Sequence, residues 1–375
     1  MGMASARISI RHHQICTALL FNYRISLVAS QQATKGDINM NKFCSTFRES
    51  DFNSRRNFLK SAAIGAAAAG SLVFKTSASA ADENEQGPPV PYPNIADTTG
   101  ASDELVEFMK AFFKAKSNHD VNGTMSFFAP DMVTYIDSTL NWDEASFSIL
   151  KGVFAQFMPT WPPSGKSYPT RIIGDMQHGA VIAFTDTPEL FGGELRILGA
   201  LNFKHGKIYR WVDYWDFRGF PNSFGIIKSP QLTNYKEAAV GEVASPTMKM
   251  VAGALFSALS TGNVNAATSL FTSDAVYEDM TLRAQILGKI DLGRYLARTI
   301  SKLPLGMGAK QRHTLGWDKG GGVEWNASPS SGVAVGNTAL LLDRHGLITR
   351  MTSVYDGSLM NPATLQMLVS QAIDP

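Results

Sequence analysis

Cysteine is almost missing from this chain. Of its 375 residues only Cys16 and Cys44 are cysteines, and both fall within the first 80. Beyond residue 80 there is no thiol, which excludes a disulfide, a cysteine-ligated metal and a cysteine nucleophile there. Histidine is scarce too. His205 and His345 stand in His-Gly turns, His178 in the turn "DMQHG", and His119 at a helix end. His313, in "KQRHTLGW", opens a strand and is the one imidazole to watch. These five make no metal set, and no HExxH, GxSxG or phosphate-binding glycine loop occurs. The glycines of "KGGGVEW" (319–325) lack the strand-to-helix context of a phosphate cradle and read as a loose hairpin. No cofactor is expected.

Long apolar runs are also lacking. The uncharged stretch "SAAIGAAAAGSLVF" (61–74) is too short and too rich in Ala and Gly to span a bilayer. It follows "SRRNFLK" and precedes Ala78-Ser79-Ala80, which is the order of a secretory signal: basic region, apolar core, small-residue exit. Arg55-Arg56 with Phe58-Leu59-Lys60, and Lys75 near the exit, resemble a twin-arginine signal. Residues 1–80 therefore read as a leader cleaved after Ala80, with translation starting at Met1 or Met40. The resemblance implies the twin-arginine export machinery as a partner and a periplasmic or extracellular destination. Without the leader the chain has 24 Lys and Arg against 29 Asp and Glu, a net charge of −5. A mildly acidic chain without basic runs is a poor nucleic-acid binder. Residues 81–100, polar and proline-rich, read as a tether.

What the chain does have is a repeat. "FFKAKSNHDVNGTMSFFAPDMVTYID" from Phe112 aligns without gaps to "LFSALSTGNVNAATSLFTSDAVYEDM" from Leu255, and "HGKIYRWVDYWD" (205–216) matches "HGLITRMTSVYD" (345–356). A period this long is a domain duplication. Each copy opens with an amphipathic helix (103–117; 246–260) and a shorter second helix. A strand follows ("MVTYID"; "AVYEDM"), then a third helix and a run of strands ending in "KIYRWVDYWD" or its counterpart. Helices first and antiparallel strands last is an α+β order. The expected domains are 101–220 and 244–360, with 221–243 as linker and 361–375 as tail.

This order and these motifs resemble the nuclear-transport-factor-2-like superfamily, which includes SnoaL-like cyclases, ketosteroid isomerase and limonene-epoxide hydrolase. The resemblance implies two tandem cone-shaped domains, each a curved antiparallel sheet wrapped by N-terminal helices around an apolar pocket. It also implies pairing through the sheets, either as an intramolecular pseudo-dimer or as a homo-oligomer.

The stretch "RWVDYWD" (210–216) draws the eye within that frame. Alternate strand residues share a face, so Trp211, Asp213 and Trp215 all point into the cone or all point away. An Asp between two indoles is desolvated, which raises its pKa toward the range useful for proton transfer. "GKIYRWVDYWD" is similar to the closing motif of the epoxide-hydrolase branch and places Asp213 on its catalytic carboxylate. Asp186, in "FTDTPEL", falls at the partner carboxylate, but the arginine that bridges the pair in that branch is replaced by Phe184. "TDTP" also reads as a surface turn before Pro188.

"TYID" and "VYED" match the family's Tyr-x-Asn/Asp positions, giving Tyr135 and Asp137 in one copy and Tyr277 and Asp279 in the other. "DAVYED" (274–279) is also similar to the stretch that ends in the isomerase general base, which points to Asp279. Trp211, Trp215, Tyr135 and Tyr277 would supply flat walls for a hydrophobic ligand. In the second copy Ser353 stands where the first has Asp213. The expected function is acid/base chemistry by Asp213, Asp137, Asp186 or Asp279 on a hydrophobic small molecule, of isomerase, cyclase or epoxide-hydrolase type. The alternative is a non-catalytic carrier of such a ligand. Asp213 in that case only accepts hydrogen bonds from a neighbouring strand or an indole N–H.

Overall fold

The computed structural model of the chain describes residues 91–221 and 226–373. Residues 1–80, read above as a leader cleaved after Ala80, and with them both cysteines, lie outside the described residues.

Strand β1 (Asp97–Ala101) leads into α1 (Asp103–Ser117). This helix starts where the Ser102 hydroxyl accepts the Leu105 N–H, with Asp103 and Glu104 in its first turn and Lys114 and Lys116 in its last. Its buried stripe is Leu105, Met109, Phe112, Phe113 and, unusually, Lys116. Then come α2 (Val121–Met125), β2 (Thr134–Asp137), β3 (Trp142–Glu144), α3 (Phe147–Phe157), β4 (Ser167–Asp175), β5 (Gly179–Asp186), the short α4 (Pro188–Phe191), β6 (Leu195–Lys204) and β7 (Lys207–Trp215). A one-turn helix, α5 (Glu237–Val240), precedes the second copy.

That copy consists of α6 (Pro246–Ser260), α7 (Val264–Ser269), β8 (Phe271–Asp279), β9 (Ala284–Leu287), α8 (Lys289–Thr299), β10 (Lys310–Trp317), β11 (Gly320–Asn326), β12 (Val335–Leu342) and β13 (Ile348–Tyr355). A last helix, α9 (Pro362–Ile373), follows it. The chain is therefore α+β with two tandem sheets. The first runs β1-β4-β5-β6-β7-β2-β3 and the second β10-β11-β12-β13-β8-β9. Strands β4 to β7 and β10 to β13 are antiparallel meanders, whereas β2 joins β7, and β8 joins β13, in parallel.

Three sequence expectations shift. The gapless repeat slips by one residue between the second helix and the next strand. Helices α1 and α6 are offset by 143 residues, but Tyr135 pairs with Trp211 as Tyr277 pairs with Met351, and Asp137 with Asp213 as Asp279 with Ser353. A gapless register would have turned every side chain of β8 to the wrong face. The "KGGGVEW" stretch is no loose hairpin: Gly320–Asn326 is β11, an interior strand of the second sheet. Its glycines let another surface come close, since a Cβ on Gly322 would lie 2.2 Å from Val181 Cγ2. The segments read as tether and tail also carry structure, β1 and α9, and Leu368 of α9 is fully buried.

Each sheet has two uses. One face receives its own copy's helices, in cores built on Leu105, Met109, Phe112, Phe113 and Trp211, and on Met248, Leu255, Tyr295 and Trp325. The other faces of the two sheets pack together through Ile173, Val181, Leu198, Val212 and Tyr214 against Leu315, Val335, Ala339 and Val354. The copies thus meet by their sheets within one chain. Inside this seam lies a buried polar island. Arg210 donates to both carboxylate oxygens of Glu324 at 2.8 and 3.0 Å, with neither residue exposed, and Tyr214 and Arg312 donate to the same carboxylate. Burial alone would raise the Glu324 pKa, but Arg210 and Arg312 hold it down to about 2. His313 lies beside Glu324 in register, and burial lowers its pKa to about 4.

Candidate functional site

Strand β7 has two buried faces. Arg210, Val212 and Tyr214 face the seam, so Trp211, Asp213 and Trp215 face the helices inside the first copy. Asp213 is 4% exposed. The Trp211 indole N–H donates to its Oδ1 at 2.5 Å, and the Tyr135 hydroxyl donates to its Oδ2. Gly199 stands opposite Asp213 on β6, where a Cβ would lie 3.0 Å from the indole nitrogen and 3.1 Å from Oδ1. Glycine leaves that hydrogen bond its room. Burial raises the Asp213 pKa to about 7. The Tyr135 and Trp211 hydrogen bonds and the more distant Lys116 oppose the rise, and Asp137 adds to it. Burial, then the neighbouring carboxylates, push the Tyr135 phenol well above 10, so it stays a donor.

Asp137 lies next to Asp213 in register, on the parallel neighbour β2. It does what a strand-end Asx residue does, accepting the backbone N–H of Thr139 and Leu140 at 3.0 and 2.8 Å. Its other oxygen accepts the Trp215 indole N–H at 2.9 Å. Each indole of "RWVDYWD" thus serves a different carboxylate. Burial raises Asp137 to about 6, against the pull of those hydrogen bonds. Tyr135 and Asp137 are half-buried, while Asp213 and Asp186 are buried.

Asp186 is not in the turn that "TDTP" suggested. The turn starts one residue later, and Asp186 is the last residue of β5, 3% exposed. Lys116 Nζ lies 3.3 Å from both of its oxygens and 5.1 Å from the centre of the Phe184 ring, and the Ser167 hydroxyl donates to Oδ1. Helix α1 thus places a cation, Lys116, beside Asp186. Sequence reasoning missed this lysine. Its signal was its position four residues after Phe112 and three after Phe113, on the apolar stripe where a charge is out of place.

Aromatic rings fill the space around the carboxylates. Trp211 has Phe112 at 5.1 Å, Tyr135 stacked at 5.7 Å, and Phe184 and Phe128 at 6.1 and 6.3 Å.

The second copy is built differently. Asp279, 1% exposed, accepts the hydroxyls of Tyr277 and Tyr355 at 3.1 and 3.0 Å and the Leu282 N–H at 2.9 Å. Burial raises it to about 6. Tyr277 therefore serves Asp279, whereas its counterpart Tyr135 serves Asp213. Ser353 instead joins Thr338 and the Trp325 indole in a chain of hydrogen bonds. Tyr277 is buried where Tyr135 is half-exposed. Among the described residues no cluster of three or more His, Cys, Asp or Glu could hold a metal ion.

No family model and no curated protein matches the chain. Solved structures do. The chain is similar to NTF2-like and SnoaL-like proteins. An NTF2-like protein of unknown function from Burkholderia xenovorans shares 16% identity over 32% of this chain and 91% of its own, with a TM-score of 0.26. A SnoaL-like protein of unknown function from Burkholderia thailandensis shares 10%, over 30% and 96%, with a TM-score of 0.26. A proposed ketosteroid isomerase from Kribbella flavida shares 14%, over 39% and 93%, also with a TM-score of 0.26.

Proposed function

We propose that this chain is an exported SnoaL-like protein whose first copy moves a proton on a hydrophobic small molecule. The observation that carries the reading is the placement of Asp213. It is a carboxyl inside an aromatic interior, raised by burial to about 7 and bonded to the half-buried Tyr135. A carboxyl of that pKa both takes and gives a proton at neutral pH, a contribution of about 10²–10⁴-fold when positioned on a reacting group. In this reading Tyr135 orients the substrate oxygen and passes its position to Asp213. Asp137, less covered and raised to about 6, is the second proton carrier. Lys116 pairs with Asp186 at 3.3 Å. Trp211 and its ring neighbours supply the apolar wall for the substrate.

The test is incubation with an enolisable ketone, and separately an epoxide, in deuterated water. Solvent deuterium or hydration product that disappears in Asp213→Asn supports the reading. No product from either substrate class, or an unchanged Asp213→Asn, removes it.

One observation favours the carrier reading: both Asp213 oxygens already have donors. A carrier shows ligand-induced tryptophan fluorescence change without product.

A further inference from the structure

Asp213 is 4% exposed, and on its Tyr135 side the rings of Tyr135, Phe128 and Phe154 pack against one another. For a substrate to meet the carboxyl, part of that wall has to move. One element of the wall is lightly held. Helix α3 buries Leu150 and Phe154 alone of its eleven residues, and Ile149 is 49% exposed. A Cβ on Gly152, in the middle of the helix, would meet nothing within 4 Å. The helix lies against α2 and β3, and β3 is three residues long, half-buried throughout, at the edge of the first sheet. Its other end is fixed, because Met158 and Trp161, just beyond it, are buried. The Phe154 ring lies 6.2 Å from the ring of Tyr135, whose hydroxyl donates to Asp213.

The matching helix of the second copy is fastened. Helix α8 has the same length but buries Leu292, Tyr295, Leu296 and Thr299. Helix α9 lies against α8 and β9, and its Leu368 and Ala372 share one apolar core with Leu292, Tyr295 and Leu296. The Tyr295 ring lies 6.0 Å from that of Tyr277, which is buried where Tyr135 is half-buried. Between β7 and the second copy the described residues form only the turn Phe217–Gly219 and α5, and α5 is held at the seam by the pairing of Glu237 with Arg312. An element with few buried apolar contacts opens at low free energy, whereas one sealed into a core opens only with that core.

We infer that α3 is a lid. Its N-terminal end lifts about the Met158–Trp161 anchor and uncovers Tyr135 and Asp213, while α9 keeps the same place in the second copy closed. What enters rests on the proposed function; the opening itself does not, and it is measured without a substrate.

Leu150 and Leu292 are each the fourth residue of their helix, and both are fully buried. Leu150→Cys and Leu292→Cys are made separately in the full chain carrying Cys16→Ser and Cys44→Ser, so that each protein has a single thiol. In native buffer, dithionitrobenzoate is expected to react about tenfold or more faster at position 150 than at position 292, and faster than the same variant unfolds globally. Leu368→Ala, which loosens α9, raises the rate at 292 and leaves the rate at 150 within about twofold. If a cysteine variant does not fold, hydrogen exchange of the unaltered chain gives the answer. A helix this short frays once it leaves its packing, so the amides of α3 exchange about tenfold or more faster than those of α8. Equal rates at the two helices, or a rate at 150 no faster than global unfolding, overturn the lid. An unmoved rate at 292 in Leu368→Ala overturns the clamp.

Discussion

Replacing Asp213 with Asn keeps the size and planarity of the side chain and removes its ionisation. The fold raises this carboxyl from an ordinary 3.8 to about 7, chiefly by burial. That is a shift of about 3 units, or about 4 kcal/mol of preference for the neutral form at 1.36 kcal/mol per unit. The native state therefore binds the proton more tightly than the unfolded chain, so stability falls as pH rises from about 4 to about 7. Integrated from pH 5 to pH 8, Asp213 alone costs the native protein about 3 kcal/mol. Asp137 and Asp279, each raised to about 6, act in the same direction and are present in both proteins. The assay is urea unfolding of the native chain and Asp213→Asn at several pH values across that window. The variant is expected to lose about 3 kcal/mol less on going from pH 5 to pH 8. Two parallel stability curves would refute the argument, because they would mean that Asp213 ionises as freely when folded as when unfolded.

Three other outcomes follow from the same geometry. Lys116→Met leaves the Asp186 carboxylate buried with only the Ser167 hydroxyl, and chemical denaturation should show a loss of about 3–5 kcal/mol, largely relieved in the Lys116→Met, Asp186→Leu double variant. Glu324→Ala removes the bidentate partner of buried Arg210 and leaves Glu237 as the remaining carboxylate beside Arg210 and Arg312, with an expected loss of about 3 kcal/mol, measured by the same method. Tyr135→Phe removes a hydrogen bond that lowers the Asp213 pKa. The pH window over which stability falls should therefore extend upward relative to the native chain, as stability profiles taken beyond pH 7 would show.

Much of this was legible before any coordinates, for a physical reason. Strand periodicity of two puts Trp211, Asp213 and Trp215 on one face, and two indoles are too large to leave in water, so a buried shared face was legible; which face was not, because Arg210, Val212 and Tyr214 are buried on the other. Ser102 and Ser245 as caps, followed by apolar residues at helical spacing, set the starts of α1 and α6. Interactions that depend on distant partners were not legible. Lys116 meets Asp186 only because α1 lies across β5, and Pro188 made the end of that strand read as a turn. The glycines of β11 read as a loop because their role, close approach to Val181, belongs to another sheet. Arg210 gave a signal in alternating with Trp211, but nothing local identifies Glu324, 114 residues away, as its partner. The exchange of Asp213 for Ser353 was visible as a substitution. The consequence was not: Tyr277 changes allegiance to Asp279.

The central claim is that Asp213 holds its proton inside the first copy up to neutral pH. Carbon NMR of the chain labelled at the aspartate carboxyl carbon tests it directly, with Asp213→Asn to assign the resonance. The account predicts a carboxyl that stays protonated through pH 5 and titrates with a midpoint near 7. A resonance assigned to Asp213 that is already ionised at pH 5 would contradict it.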